Sequence, residues 1–559
     1  MKVLRYLTQG AIAIASLLVA SASGAENASP PPTPIAGASG PLVRAPAGAI
    51  AGVDENGVAV FKGIPYAAPP IGPLRWRPPA AAPAWQGVRQ ATAFGPACIQ
   101  PIPQTPGIYS SDIRPFSEDC LTLNIWAPKD ARSAPVFFWI HGGALVGGSA
   151  REAVYDGAQM ARRGVIVVSI NYRLGILGFL AHPQLSAESP DGVSGNYGLL
   201  DQIAALRWVH DNIAAFGGDP ANVTIAGESA GGLSVMYLMA AASARGLFAK
   251  AIAESAYMVS AQELKQQHFG TPAAEETGAR VAAALHAPDV AALRAADAQQ
   301  LTAGAAALGF FPFFTIDGHV LSDQVVNIFD RGAQAHVPML AGFNSGEIRS
   351  LRMLAPPAPA RAEDYERTIQ RLYGDLAPAY LALYPSANLE ESVIANTRDA
   401  LYGWTAERLV RKQAEIGEPS FLYLFDHGYP AAEAMHLHAF HASELPYVWD
   451  NRDRTPPLWP RIPDTPQEAA LADAMIDYWT SFARAGQPHA QDAPEWDAYG
   501  PGGNYMRFGD QGPQSGRNLM PGMYELHEQA MCRRRAANMA WNWNTGVVSP
   551  VLTSQAACR

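Results

Sequence analysis

Long apolar runs are absent from this sequence after residue 25, and cysteine is scarce. No later segment reaches about eighteen consecutive apolar residues, so no transmembrane helix or stable membrane anchor is expected there. The four cysteines include no C-x-x-C pair, the spacing typical of a structural zinc site. Only 16% of the residues are charged, and the net charge is -10. Because nucleic acid and anionic membranes repel an acidic protein, we expect neither as a partner.

Apolar residues make up 48% of the 559 positions, which is enough for a large buried core. The chain is therefore expected to be globular and not disordered. Its length would permit several domains, but large α/β proteins often exceed the usual domain size as one body. We predict a single domain over residues 43–559.

The first 25 residues have the character of an export signal. Two basic residues precede the apolar run "AIAIASLLVA", and the small residues of "SASGA" follow it. This pattern predicts a secretory signal peptide over residues 1–25, cleaved after Ala25 or Ala22. Residues 26–42, rich in Pro, Ala and Gly, are predicted to form a flexible tether. The mature protein is expected in the periplasm or outside the cell.

The cysteines fit an oxidising compartment. They are Cys98, Cys120, Cys532 and Cys558, and four cysteines permit three pairings. Sequential pairing, Cys98 with Cys120 and Cys532 with Cys558, is favoured because each partner is close in sequence. A disulfide loop of roughly two dozen residues contributes about 3 kcal/mol of stability. Four free thiols are the alternative.

The remaining chain alternates between strand and helix patterns. Residues 134–143 and 164–175 contain continuous apolar runs, typical of strands that are buried on both faces of a parallel sheet. Between Leu199 and Phe216 apolar residues recur at spacings of three and four, which predicts an amphipathic helix that ends at two glycines. The pattern "NVTIAG" over residues 222–227 predicts the next strand. The fold class is therefore α/β.

Ser229 stands in "VTIAGESAGG", residues 223–232, directly after that predicted strand. Gly227 and Gly231 flank it at two residues on either side, and small residues there permit a tight strand-to-helix turn that holds the serine in a strained conformation. This is the geometry of a nucleophile elbow. The helix that follows would aim free backbone N–H groups at negative charge developing beside Ser229. A second source of N–H donors is predicted in the glycine-rich loop "HGGALVGGS", residues 141–149.

Several longer motifs resemble the type B carboxylesterases of the α/β-hydrolase superfamily. They occur in the family's order and cover roughly residues 43–510: "FKGIPYAAPPIGPLRWRPP", "SEDCLTLNIWAP", "HGGALVGGS", "INYRLGILGFL", "GNYGLLDQIAALRWVHDNIAAFGGDP", "GESAGG", "GFNSGE" and "HASELPYVW". The resemblance implies a large, mostly parallel, twisted sheet flanked by helices, with a helical cap at about 350–440 and a C-terminal tail from about 510. It also implies hydrolysis of a small-molecule carboxylic ester through an acyl-enzyme, without a cofactor or a metal.

The resemblance implies a catalytic triad as well. The family's acid closes a G-x-N-x-x-E stretch, which here ends at Glu347, and its base precedes an acidic residue and an aromatic run, which here is His441. The order Ser229, Glu347, His441 is that of α/β hydrolases. In these roles His441 would activate the Ser229 hydroxyl as a base, and Glu347 would orient the imidazole and stabilise its charged form.

Five further residues take expected roles from the same resemblance. The backbone amides of Gly143, Ala144 and Ala230 would form the oxyanion hole, with Ala144 where many relatives have a third glycine. Glu228 matches a family glutamate that influences charge and water in the site, and Ser255 matches a serine near the acid.

Other functions remain open at this stage. His436, His438 and His441 are clustered in "HLHAFH" and could ligate a transition metal, but no carboxylate lies within the cluster. A non-catalytic binding protein on the same fold, as among the neuroligins, is disfavoured because all three triad residues are present. Within the hydrolases, the same triad would serve an amide, a carbamate, a feruloyl ester or a mycotoxin ester. The sequence defines no oligomeric state.

Overall fold

A central sheet of eleven strands organises the protein, as the computed structural model shows for residues 40–541 and 544–558. The predicted signal peptide and most of the tether lie outside the described residues. Numbered along the chain, the sheet strands are β1 Val53–Glu55, β2 Val58–Pro65, β3 Thr122–Pro128, β4 Ala134–Ile140, β5 Ile166–Ile170, β6 Gly218–Glu228, β7 Lys250–Glu254, β8 Met339–Asn344, β9 Ser420–Asp426, β10 Asn504–Gly509 and β11 Gly512–Arg517.

The spatial order of the strands is β1-β2-β3-β5-β4-β6-β7-β8-β9-β10-β11. The run from β5 to β10 is parallel, and antiparallel strands complete both edges. Every residue of β4 and β5 is buried, because helices cover both faces of the parallel region. The fold is that of an α/β hydrolase, with a large mixed sheet flanked by helices.

The described α-helices all follow β4 and lie between and after the remaining strands. They are α1 Ala158–Arg162, α2 Gly175–Phe179, α3 Pro183–Glu188, α4 Tyr197–Asn212, α5 Ala230–Ala240, α6 Ala274–Ala284, α7 Val290–Ala295, α8 Ala298–Ala307, α9 Val325–Asp330, α10 Glu347–Ser350, α11 Ala362–Tyr373, α12 Ala377–Leu383, α13 Leu389–Arg398, α14 Trp404–Glu415, α15 Pro430–Ala434, α16 Leu445–Val448, α17 Pro466–Ala485 and α18 Met523–Ala536. In the described part of the chain, each helix is too short or too polar to cross a membrane.

The helix predicted between Leu199 and Phe216 consists of two parts. The α-helix α4 ends at Asn212, and a 3-10 turn, Ile213–Phe216, follows it. Gly217 then adopts a φ of 85°, a left-handed conformation that suits glycine, and the chain turns into β6. The apolar periodicity therefore predicted the helical segment correctly. The last turn of that segment is a 3-10 turn, which is wound more tightly than the α-helix before it.

The segment predicted as a cap, residues 350–440, is not uniformly helical. It contains α11 to α14, but Ser420–Asp426 is the strand β9 of the central sheet. The helix α14 packs on β8 and β9 and so belongs to the layer that covers the sheet. Beyond residue 510, α18 packs against α14.

Two disulfides are present, Cys98 with Cys120 and Cys532 with Cys558, the pairs that the sequence spacing favours. The first closes the loop over residues 98–120, and the second fastens the C-terminal segment to α18.

A buried ion pair ties the loop after β5 to α4. The Arg173 guanidinium donates to both carboxylate oxygens of Asp201, at 2.8 and 2.7 Å, and the Arg173 backbone N–H donates at 3.0 Å. The preceding residue, Tyr172, donates its hydroxyl to the carbonyl of His141 at 2.9 Å. Because His141 begins the glycine-rich loop, the Tyr172 hydroxyl ties that loop to the segment that carries Arg173.

We expect Arg173→Met to lower the free energy of unfolding by about 3–5 kcal/mol, because Asp201 would be left as an unpaired buried carboxylate. Urea denaturation near pH 7 measures the loss. The double variant Arg173→Met/Asp201→Leu is expected to regain part of this stability, since it removes both charges. A double variant no more stable than Arg173→Met alone would contradict the argument.

Candidate active site

Ser229 lies in a sharp turn between β6 and α5. Its φ of 56° and ψ of -119° lie in a region that non-glycine residues rarely adopt. Its backbone N–H donates to the Glu254 carbonyl on β7 at 2.9 Å, which holds the turn against the sheet. A Cβ placed on Gly231 would lie 2.0 Å from the carbonyl oxygen of Ile140, so no larger residue fits there. The turn has the conformation and the strand-to-helix context of a nucleophile elbow.

His441 and Glu347 are in direct contact. The Nδ1 atom of His441 is hydrogen-bonded to one carboxylate oxygen of Glu347. The other oxygen accepts from the Ser255 hydroxyl at 2.6 Å and from the Asn344 backbone N–H at 2.9 Å. Glu347 is fully buried and therefore has a fixed orientation. This arrangement fixes the imidazole ring with Nε2 as its free nitrogen.

That free nitrogen lies beside a second glutamate. His441 Nε2 is 3.1 Å from the Glu228 carboxylate. In the described part of the chain, the hydroxyl of Ser229 has no hydrogen-bond partner, so it is not hydrogen-bonded to His441 in this arrangement. Catalytic hydrogen bonds of this kind commonly tighten only when substrate binds.

Three backbone amides near Ser229 are free. Within residues 40–541 and 544–558, no acceptor takes a hydrogen bond from the N–H of Gly143, Ala144 or Ala230. Gly143 and Ala144 have φ values of 101° and 56°, which turn the glycine-rich loop sharply at this point. The loop also packs directly on the elbow, because a Cβ on Gly142 would lie 2.8 Å from the Glu228 carbonyl. Free amides in such positions can bind an oxyanion.

The electrostatics of the site are dominated by buried carboxyl groups. Burial raises the pKa of Glu228 to about 7, although the His441 charge opposes this shift. Burial would lower the pKa of His441, but the charges of Glu228 and Glu347 outweigh it and raise the pKa to about 9. The imidazolium form of His441 is thus stabilised by two carboxylates.

The site opens into a cavity of about 860 Å³. Ser229, His441, Glu228, Gly143 and Ala144 all line it. Several aromatic rings form its walls: Tyr109, Tyr155, Tyr257, Tyr402 and Trp459.

Three exposed apolar side chains lie at its edge. Ile102 is 61% exposed, Phe311 55% and Met353 79%, and they come from three separate segments of the chain. We refer to Ile102, Phe311 and Met353 as the mouth residues.

The neighbouring histidines do not join the site. His438 is hydrogen-bonded to Asp426 and Glu433, and His436 is exposed. In the described part of the chain, no group of three or more His, Cys, Asp or Glu side chains is arranged to hold a metal ion.

Sequence reasoning missed two residues that hold the segments around Glu347 and His441. The Tyr109 hydroxyl is hydrogen-bonded to the His441 carbonyl at 2.9 Å and to the Ser350 hydroxyl at 2.7 Å, so it links the first disulfide loop to the histidine loop. Asn344 donates its side-chain amide to the Phe440 carbonyl at 2.8 Å. Asn344 could have been found from the sequence, because it stands in the motif "GFNSGE" that ends at Glu347. No local pattern in the sequence pointed to Tyr109.

Comparison with known proteins agrees with the α/β-hydrolase fold. Residues 39–527 match the profile of the carboxylesterase family. The fumonisin B1 esterase of Sphingopyxis macrogoltabida is 37% identical over 85% of this chain and 87% of the relative. The para-nitrobenzyl esterase of Bacillus subtilis is 36% identical over 82% and 92%. A solved structure of a PNB esterase superposes with a TM-score of 0.75 at 33% identity, covering 87% of this chain and 99% of that one.

The chain therefore belongs to the carboxylesterase family, and it is a carboxylic ester hydrolase.

Proposed function

We propose that this esterase acts through Ser229 as nucleophile, His441 as general base and Glu347 as the acid that orients it. The observation that carries the proposal is the convergence of the strained Ser229, the free amides and the hydrogen-bonded pair of His441 and Glu347 on one cavity. The amides of Gly143, Ala144 and Ala230 are the proposed oxyanion hole, and Ser255 fixes Glu347 through its hydroxyl.

The reaction would proceed in two halves. The Ser229 Oγ attacks the ester carbonyl carbon while its proton passes to His441 Nε2, and the carbonyl oxygen becomes an oxyanion that the three amides bind. The tetrahedral intermediate collapses, His441 returns the proton to the departing alcohol, and an acyl-enzyme remains. Water then repeats the sequence and releases the carboxylic acid. Glu347 stabilises the imidazolium in both halves without accepting its proton.

The cavity favours esters of more than minimal size. Its volume of about 860 Å³ lies toward the upper end of the range for drug-sized ligands. The relative named fumonisin B1 esterase makes mycotoxin esters a specific second candidate among the substrates. A panel of ester, amide and carbamate substrates with one shared leaving group would separate these possibilities.

We further propose that the protein is exported. The sequence of residues 1–25 supports this through its basic start, apolar run and small-residue end. The two disulfides support it too, because such bonds persist in oxidising compartments.

We expect Ser229→Ala to lower kcat for a p-nitrophenyl ester by about ten-thousand-fold or more, because the nucleophile is lost while the oxyanion donors remain. Steady-state kinetics measures the change, and circular dichroism checks the fold. Ser243→Ala, at an exposed serine outside the cavity, is the matched control and should keep full activity. Ordinary turnover by Ser229→Ala would refute the assignment.

We expect kcat/KM to rise with pH and to reach half its maximum between about pH 7 and pH 9. These bounds are the pKa values of Glu228, about 7, and of His441, about 9, two groups that titrate together. The rise follows because only neutral His441 accepts the Ser229 proton. Glu228→Gln removes a negative charge that stabilises the imidazolium, so it should shift the rise to lower pH. A profile measured from about pH 5 to pH 10 tests both statements. An unchanged or upward shift in Glu228→Gln would contradict them.

We expect kcat/KM for p-nitrophenyl esters to increase by about tenfold or more from acetate to octanoate, because each fully buried methylene contributes about 0.8 kcal/mol. Phe311→Ser and Met353→Ser should reduce this increase while leaving the acetate rate unchanged. Val551→Ser, at another exposed apolar position outside the cavity, is the matched control. Equal losses for acetate and octanoate would show that the mouth residues do not contact the chain.

A further inference from the structure

Glu254 is a buried carboxyl group directly behind the active site. It ends strand β7 in register with Glu228, which ends β6, so the two side chains start from neighbouring strands. Glu254 is fully buried and does not line the cavity. Its backbone carbonyl accepts the N–H of Ser229. Glu254 therefore lies close to the reacting groups without facing substrate.

The hydrogen bonds around the buried carboxyl groups differ in number. Glu347 accepts three, from Ser255, Asn344 and His441. The Glu254 carboxyl accepts one, from the Trp479 Nε1–H at 2.5 Å. Its other oxygen is buried and has no partner in the described part of the chain.

One oxygen of Glu228 also has no hydrogen-bond partner in the described part of the chain, but it lies 3.1 Å from His441 Nε2. These differences in donors and neighbouring cations predict a difference in charge. Several donors stabilise an ionised carboxylate, whereas a buried carboxylate with one donor and no cation pays a large desolvation cost. Within the described residues, Glu254 forms no ion pair with Lys, Arg or His. A proton on Glu254 removes the cost, since the neutral acid needs far less solvation.

Within the described residues, the titratable groups found to interact electrostatically with Glu254 are all acidic. They are Glu228 on β6, Tyr423 on β9, Glu444 before α16 and Tyr155 near α1, and each interacts electrostatically with Glu254. Burial raises the pKa of Glu254 to about 8; the Trp479 hydrogen bond opposes the shift and the charge of Glu228 adds to it. The surroundings therefore favour the protonated form.

We propose that Glu254 keeps its proton at neutral pH and is a positioning residue: by staying uncharged there, it leaves Glu228, and not Glu254, as the carboxyl group that ionises beside His441. A second negative charge next to Glu228 would drive a proton onto Glu228 and weaken its contact with the imidazolium. The kinetic part of this inference rests on the proposed role of His441, whereas the protonation of Glu254 does not.

The first experiment detects the proton on Glu254 from the pH dependence of the unfolding equilibrium. Glu254→Gln carries a neutral amide in place of the neutral acid. In the unfolded wild type Glu254 loses its proton near its ordinary pKa of about 4.3, while the folded protein retains it. The wild type therefore loses stability relative to Glu254→Gln as pH rises toward about 8, the pKa of the folded group. The ratio of unfolding constants, wild type over variant, should rise about tenfold per pH unit between about pH 5 and pH 7.

Glu118→Gln is the matched control, because both Glu118 carboxylate oxygens accept hydrogen bonds from the Arg75 guanidinium, so this carboxyl group has the cation that Glu254 lacks. Its ratio should not rise over the same pH range. Urea denaturation or pulse proteolysis at each pH measures both ratios. A flat ratio for Glu254→Gln, or one that rises no more than that of Glu118→Gln, overturns the proposal even if the esterase mechanism is correct.

The second experiment uses the pH profile of kcat/KM to decide whether the proton is on Glu254 or on Glu228. If Glu254 is already neutral, Glu254→Gln should keep kcat within about twofold and leave the kinetic pKa within about 0.3 of the wild-type value. If Glu254 is instead ionised and Glu228 carries the proton, the substitution changes the charge beside His441. A kinetic pKa displaced by about one unit in either direction would thus overturn the proposal.

Discussion

The close approach of backbones at the elbow is the constraint on which the active site depends. A Cβ on Gly227 would lie 2.5 Å from Gly231, and one on Gly232 would lie 2.5 Å from the Glu254 carbonyl. These contacts exclude larger side chains and force the chain to turn within a few residues. The turn sets the strained backbone of Ser229 and frees the first amides of α5, while the parallel pairing of β6 with β7 places Glu228 beside Glu254. The geometry around the serine is thus a consequence of this close packing.

The charges around His441 show how a buried site can stabilise one imidazolium. Glu347 is held by three donors and contacts Nδ1, while Glu228 lies near Nε2. The proposed reaction needs Nε2 free to accept the Ser229 proton, so the contact with Glu228 must give way in each half-reaction. Once the imidazolium forms, the same carboxylate stabilises it. Glu228 therefore opposes the resting base and supports the charged intermediate, and the pH dependence of activity reports the balance between them.

The sequence predicted the features that are encoded locally. The glycine spacing around Ser229, the apolar runs of β4 and β5 and the periodicity of α4 are patterns within single elements, and the structure has those elements close to the predicted bounds. The family motifs also led to Glu347 and His441, which are in contact although they are 94 positions apart. Their catalytic roles remain a prediction, as do those of the oxyanion amides.

Contacts between distant segments were beyond the reach of local patterns. Trp479 reaches Glu254 across 225 positions, and Tyr109 reaches His441 across 332. Both contacts depend on the order of the strands and on how α17 and the first disulfide loop pack on the sheet. Neither residue stands in a motif that marks it. The strand β9 within the predicted cap was missed for a related reason, because a short buried strand between helices resembles part of a helical segment.

The floor and the mouth of the cavity are built under different constraints. The buried floor residue Glu228 ends the central strand β6, and Glu347, which contacts His441, follows the central strand β8, so a change at either residue alters the chemistry and the fold together. The mouth residues are exposed, Ile102 and Phe311 in loops and Met353 in a 3-10 turn, and substitutions at such positions usually change stability by less than about 0.5 kcal/mol. Substrate preference can therefore change at the mouth while the floor is retained.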